Sequence, residues 1–130
     1  MVSKPELEPS FPCAWGADCP PPDAMDATGT YFRRVSCAPP SAECFLSYEE
    51  LGRKVSAAAR CKSRGLSVFT VLEDAKAYAE RYPDGGTLIA RAVLDHTDGK
   101  AMPTGPCGTS HTTWWPYPGI ARHKKFSVLP

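Results

Sequence analysis

The stretch GLSVFTVLEDAKAYAERYPDGG, residues 65–86, decides the fold class. LSVFTV at 66–71 is short, apolar and rich in β-branched and aromatic side chains, the composition of a buried strand. Within two residues the period changes from two to about 3.6. Ala75, Tyr78, Ala79 and Tyr82 then fall on one helical face. Thr70 and Glu73 have the spacing of a capping box, so the chain is expected to turn directly from strand to helix. Pro83 disfavours helix at Tyr82, and DGG at 84–86 makes the next turn. A strand running straight into a helix, in a chain of 130 residues, predicts one mixed domain.

Working outward, GTYFRRVSC at 29–37 reads as a strand. Alternation places Tyr31, Arg33 and Val35 on one face and Phe32 and Arg34 on the other. LSYEELGRKVSAAARC at 46–61 reads as a first helix. Ser47 and Glu50 form a second capping-box pair, Leu46 and Leu51 a hydrophobic staple, and Tyr48, Leu51, Val55 and Ala58 one face. Gly52 weakens that helix by about 1 kcal/mol, and Gly65 terminates it. TLIARAVLD at 87–95 is a third strand, and Asp-Gly in TDGK sets a hairpin into KAMP. SHTTWW and FSVL supply two more strands. The expected order is β-α-β-α-β-β-β-β. It describes an α+β domain with two helices on a small mixed or antiparallel, split sheet.

Residues 1–28, with CPPP at 19–22, cannot form a regular helix or a central strand. They are expected to be an irregular arm on a single domain spanning 29–130, with Phe11 and Trp15 pinning it. The formal net charge of +1 gives no electrostatic argument for nucleic acid or membrane. No apolar run approaches the roughly 20 residues of a membrane helix, and no signal segment is visible, so the cytoplasm is the expected setting. Six cysteines lie at irregular spacings without zinc-site pattern. Free thiols are the default reading, with disulfides and a structural metal near Cys13 and Cys19 as alternatives. No metal is expected in the functional site.

The P-loop, the Gly-rich dinucleotide fingerprint, the zinc-protease helix and the nucleophile elbow are all absent. What remains is a set of polar residues on predicted strands: Arg33 or Arg34, then Ser67, then His111 beside two threonines and Trp114. An arginine fork suits a pyrophosphate, and aromatic faces suit a flat ring. Alternation across SHTTWW sends His111, Thr113 and Trp115 to one face and Thr112 and Trp114 to the other. At most one of the two tryptophans is then expected in the core. Trp114 can wall a pocket with His111 only if the strand bends, which Pro116 permits. RHKK at 122–125 reads as a solvated turn.

The run YFRRV…ECFLS…GLSVFTVLEDAKAYA…TLIARAVLD, about residues 30–95, resembles the ADP-ribosyltransferase superfamily, in particular its RES-domain-like, toxin-like branch. The shared features are an aromatic-Arg first strand, a Gly-hydrophobic-Ser strand running into an Ala-x-x-x-Ala helix, and a following strand of a split sheet. The resemblance implies NAD as substrate, held by Arg33, with Ser67 in the nicotinamide pocket. Phe69, Tyr78 and Trp114 complete the expected NAD contacts, and His111 with Ser67 the expected catalytic pair. It implies ADP-ribosyl transfer to a protein or nucleic-acid acceptor, or NAD hydrolysis. The family's late catalytic glutamate has no counterpart, since no glutamate follows Glu80 and Asp95 is the last strand-borne carboxylate before the TDGK turn. His111 can replace it because a histidine exchanges protons near neutral pH. Two other readings stay open: a non-catalytic protein-interaction module using a spare tryptophan and the Pro-rich arm, and a small RNA-binding or RNA-modifying domain using RHKK.

Overall fold

The computed structural model describes residues 10–130. Seven strands form one antiparallel sheet: β1 (Met25–Asp26), β2 (Gly29–Val35), β3 (Leu66–Phe69), β4 (Leu88–Leu94), β5 (Gly99–Pro103), β6 (His111–Pro116) and β7 (Ser127–Val128). Their spatial order is β1-β5-β6-β3-β2-β4-β7. Two helices accompany them, α1 (Arg60–Ser63) and α2 (Leu72–Arg81). The sheet is split in register. β2 pairs with β4 over its whole length, and β3 with β6 from Leu66↔Trp114 to Phe69↔His111. Between the two halves only Phe32↔Phe69 pairs. Beyond that pair β2 and β3 diverge, and the divergence creates the site described below.

The alternation read from the sequence places the core. Tyr31, Val35, Leu66, Val68, Ala90, Ala92, Leu94 and Trp114 meet on one face with Phe45 and Phe126. Phe69, Ala75, Ala79 and Ile89 form a second cluster under α2, with Phe32 and Tyr78 against it. Ala75 and Ala79 are the small residues that let α2 sit close to the sheet.

Four local expectations are corrected. The first is the helix over 46–61. Its capping box forms, with Ser47 N–H donating to Glu50 Oε1 (2.8 Å) and Glu50 N–H to Ser47 Oγ (3.2 Å). The helix then stops after one turn. Gly52 takes φ +74°, Arg53 N–H reaches Tyr48 O (2.9 Å) and Gly52 N–H reaches Glu49 O (3.0 Å). This is the paired-carbonyl closure of a helix C-terminus, for which glycine in the left-handed region is the preferred residue. Gly52 is therefore a terminator rather than a weak interior residue. Tyr48, Leu51 and Val55 consequently stay exposed.

Secondly, Thr70 does not cap α2. Val71 holds the N-cap position without a side-chain bond. Ser110 ties the helix start instead: its Oγ accepts from Val71 N–H (3.1 Å), and its own N–H donates to Asp74 Oδ2 (2.9 Å). Thirdly, Asp98-Gly99 turns the chain but makes no hairpin, because β5 pairs with β1 and β6 and not with β4. The turn is captured from across the sheet, Trp114 Nε1–H donating to Asp98 O (3.0 Å). Gly99, at φ +132°, lies so close to β6 that a Cβ there would stand 2.1 Å from Trp115 O.

Fourthly, both tryptophans are wholly buried, at 0% exposure each. Trp114 enters the main core. Trp115, on the opposite face, is covered by the segment leading into β3, and its Nε1–H donates to Cys61 O (2.8 Å). Each indole buries its ring and satisfies its one donor on a backbone carbonyl, so neither is left for a rim.

The N-terminal segment is built into this arrangement. Met25–Asp26 pairs with β5, Ala27 is wholly buried in the core, and Cys19 is bonded to Cys61. That bond corrects the all-thiol reading, while Cys13, Cys37, Cys44 and Cys107 are free. Phe11 stacks on Trp15 (5.5 Å between centroids) and packs on Tyr117 (4.8 Å), and the Arg64 guanidinium lies over Trp15. No helix among the described residues is long and apolar enough to cross a membrane.

Candidate functional site

Where β2 and β3 part, backbone carbonyls that no strand ladder pairs need other donors. Arg33 on β2 supplies two of them, one on β3 and one in the 3-10 turn Ala42–Phe45. Its Nη1 donates to Ser67 O (2.7 Å), and its Nε and Nη2 both donate to Cys44 O (3.1 and 2.8 Å). The guanidinium also lies over the Phe45 ring, 5.3 Å from its centroid. Burial, and then the neighbouring Arg34, bring its pKa down to about 10, so it stays charged at neutral pH. Among the described residues Arg33 has no carboxylate partner. Three of its five N–H groups serve backbone carbonyls, which leaves donor capacity toward the cleft.

The cleft at this divergence has a volume of about 590 Å³, within the range typical of small-molecule sites. Arg33, Ser67, Phe69, Tyr78 and His111 all line it. Trp114 does not, and this corrects its expected role as a wall: it is wholly buried on the other face. The flat surfaces come from Phe69, Tyr78 and the His111 ring, with centroid separations of 5.2 Å (Phe69–Tyr78), 5.3 Å (Phe69–His111) and 6.3 Å (Tyr78–His111). Arg34 stacks over Tyr78 at 4.7 Å and donates to Tyr82 O, which braces the Tyr78 ring.

His111 is held at both nitrogens. Nε2 is 3.0 Å from Ser67 Oγ, and Nδ1 is 3.1 Å from Thr104 Oγ1. Thr104 Oγ1 is in turn 2.7 Å from Thr113 Oγ1. The strand pairing Phe69↔His111 and Ser67↔Thr113 puts these side chains on one face. Burial, and then the charge of Lys62, hold the His111 pKa below its ordinary value of 6.5. The imidazole is therefore neutral at pH 7, with one nitrogen protonated and the other able to accept. Hydroxyl partners on both sides fix the ring plane, which is what a proton-transfer group requires.

The electrostatics favour an anion. Arg33, Arg34, Arg53 and Lys62 line the cleft against Glu43 and Asp84, and Cys44, whose pKa is lowered to about 6, adds a third negative group, so one positive charge remains in excess at neutral pH. Several of these groups were not read from the sequence. Glu43 and Asp84 sit on short 3-10 turns (Ala42–Phe45 and Pro83–Gly85) that no periodicity announces. Tyr48, Leu51 and Val55 form an apolar rim because the expected helix ends at Gly52. Cys44 was read only as one of six scattered cysteines, and it stands in the cleft wall. By contrast Asp95 caps its own turn, accepting from Thr97 N–H (2.8 Å), and is not a cleft residue.

No protein-family model, curated protein or solved structure matches this chain.

Proposed function

We propose that the cleft binds NAD and breaks its nicotinamide–ribose bond, passing the ADP-ribosyl group to water or to a protein or nucleic-acid acceptor. The observation that carries this reading is the convergence of Arg33, Ser67, Phe69, Tyr78 and His111 on one cleft with an excess of cations. The remaining N–H groups of Arg33, with Arg53 and Lys62, suit the pyrophosphate. Phe69 and Tyr78 offer faces for the nicotinamide ring.

In this reading the C–N bond breaks with its electron pair leaving on nicotinamide. The ribose gains oxocarbenium character, which the rim carboxylates Glu43 and Asp84 oppose in charge. An oxygen nucleophile then adds to the anomeric carbon and gives its proton to the Ser67 hydroxyl as that hydroxyl passes its own to Nε2 of neutral His111. Ser67 orients His111 rather than attacking. Arg33 and Ser67, the two residues that the resemblance to ADP-ribosyltransferases carries over by motif position, both line the cleft, and in this reading His111 takes the proton-handling part of the absent late glutamate.

Two features behind the competing readings are weakened. Trp114 and Trp115 are both buried, so neither is the spare tryptophan expected of an interaction module. Within RHKK, Arg122 pairs with Glu50 at 2.6 Å and Lys125 with Asp98 at 3.0 Å, which leaves Lys124 without an ion-pair partner among the described residues. As for setting, the Cys19–Cys61 bond favours an oxidising compartment over the cytoplasm. The decisive experiment incubates the purified protein with NAD, following nicotinamide release and the thermal midpoint together. Turnover supports the reading; neither turnover nor a midpoint shift overturns it.

A further inference from the structure

Outside the proposed chemistry, one group in the cleft wall stands apart. Cys44 Sγ lies 3.4 Å from Ser36 Oγ, 3.6 Å from Ser41 Oγ and 3.8 Å from Cys37 Sγ. Two hydroxyls and a second thiol thus surround one sulfur. The two cysteines are seven residues apart on the loop that leaves β2 and enters the 3-10 turn Ala42–Phe45. The backbone of Cys44 is fixed by Arg33, which donates twice to its carbonyl.

We infer that Cys37 and Cys44 form a reactive dithiol, with Cys44 as the nucleophile toward hydrogen peroxide and Cys37 as the resolving thiol. Cys44 attacks one peroxide oxygen, the O–O bond breaks, and Cys44 becomes a sulfenic acid while one water leaves after protonation. Cys37 sulfur then attacks the Cys44 sulfur. The S–O bond breaks, a second water leaves carrying the Cys37 proton, and the S–S bond forms. Overall the two thiols lose two electrons and two protons, and the peroxide is reduced to two waters.

Geometry and electrostatics agree on the direction of attack. Burial pushes the Cys44 thiol up, but hydrogen bonds from the side chains and backbone of Ser36 and Ser41 outweigh it and bring the pKa to about 6. A thiolate at neutral pH is the attacking species in both peroxide and disulfide chemistry. To bond, the two sulfurs must approach from 3.8 Å to about 2.05 Å, a movement within reach of side-chain rotation. This inference does not depend on the NAD reading, because nothing in it requires a nucleotide.

The test treats the full-length protein with one equivalent of hydrogen peroxide, alkylates the remaining thiols and maps the peptides by mass. The expected product is a Cys37–Cys44 cross-link lacking two hydrogens, formed while Cys13 and Cys107 remain alkylatable. In Cys37→Ser the reaction stops at a sulfenic acid on Cys44, trapped by dimedone. In Cys44→Ser, Cys37 stays reduced. In the untreated wild type, Cys44 is expected to react with iodoacetamide about tenfold faster at pH 6 than an ordinary exposed cysteine of pKa about 8.5. Oxidation of Cys13 or Cys107 ahead of Cys44, or a Cys44 that oxidises without ever bonding to Cys37, overturns the inference.

Discussion

His111 Nε2 lies 3.0 Å from the Ser67 hydroxyl, across adjacent antiparallel strands and 44 residues apart in sequence. The pairing of β3 with β6 sets this distance, so strand register places the two groups. With Thr104 holding the opposite nitrogen, His111 has one orientation and one exchangeable proton.

Replacing His111 by alanine is expected to lower NAD cleavage by about 10²–10⁴-fold, the usual contribution of a positioned acid or base. Binding of NAD, read by thermal shift, should survive, because Arg33 and the Phe69 and Tyr78 faces are untouched. Equal loss of binding and turnover would show that His111 holds substrate rather than moves a proton.

The pH profile offers a second check. Burial and Lys62 hold His111 below 6.5, so the acidic limb of kcat/KM should lie below 6.5. Removing a positive charge favours the imidazolium, so Lys62→Gln should move that limb to higher pH. The same depression affects stability: neutral His111 contributes fully above pH 6.5, and the contribution falls as the pH drops toward its folded value. The thermal midpoint between pH 7 and 5 should therefore fall less in His111→Asn. The comparison belongs in a Cys44→Ser background, because the Cys44 thiol, at about 6, titrates in an overlapping range.

Arg33 bridges Cys44 O and Ser67 O where the sheet divides. Arg33→Met should cost about 3 kcal/mol in urea unfolding, since two carbonyls lose charged donors at once. Arg33→Lys should recover little of it, because one ammonium cannot reproduce the planar fork. A near-neutral Arg33→Met would mean that the divergence of β2 and β3 needs no wedge.

The Cys19–Cys61 bond spans 42 residues and ties the N-terminal segment to α1. The loop-entropy relation gives about 4 kcal/mol for a loop of this length. A Cys19→Ser/Cys61→Ser double variant should lower stability by that order in denaturant. Reductant should lower the wild type to the same level and leave the double variant unchanged.

Gly99→Ala combines a strained φ with a Cβ 2.1 Å from Trp115 O. It should destabilise by at least about 2 kcal/mol by chemical unfolding. A smaller cost would mean that β5 can slide away from β6.

Much of this protein is written locally. Alternation in YFRRV and LIARAVL, and the Ala75/Ala79 spacing, specify strands, a helix and their buried faces, because burial follows backbone period directly. Even the capping box at Ser47 and Glu50 forms as its spacing predicts. What failed were decisions that depend on distant groups. Gly52 closes its helix in the left-handed region, and this leaves Tyr48, Leu51 and Val55 on the cleft rim rather than in a core. Ser110, 40 residues from Thr70 along the chain, supplies the tie at the α2 start that Thr70 was expected to give. Asp98-Gly99 misses its hairpin because Trp114 captures the turn from the other half of the sheet.

The sequence by itself determined an α+β chain with an arginine, a serine and a histidine on separate strands. Only the tertiary structure decided that they share a cleft, that Trp114 and Trp115 are both core, and that Cys37 and Cys44 face each other. The physical reason is that strand order and register join residues far apart along the chain, and no local pattern encodes which edge finds which partner.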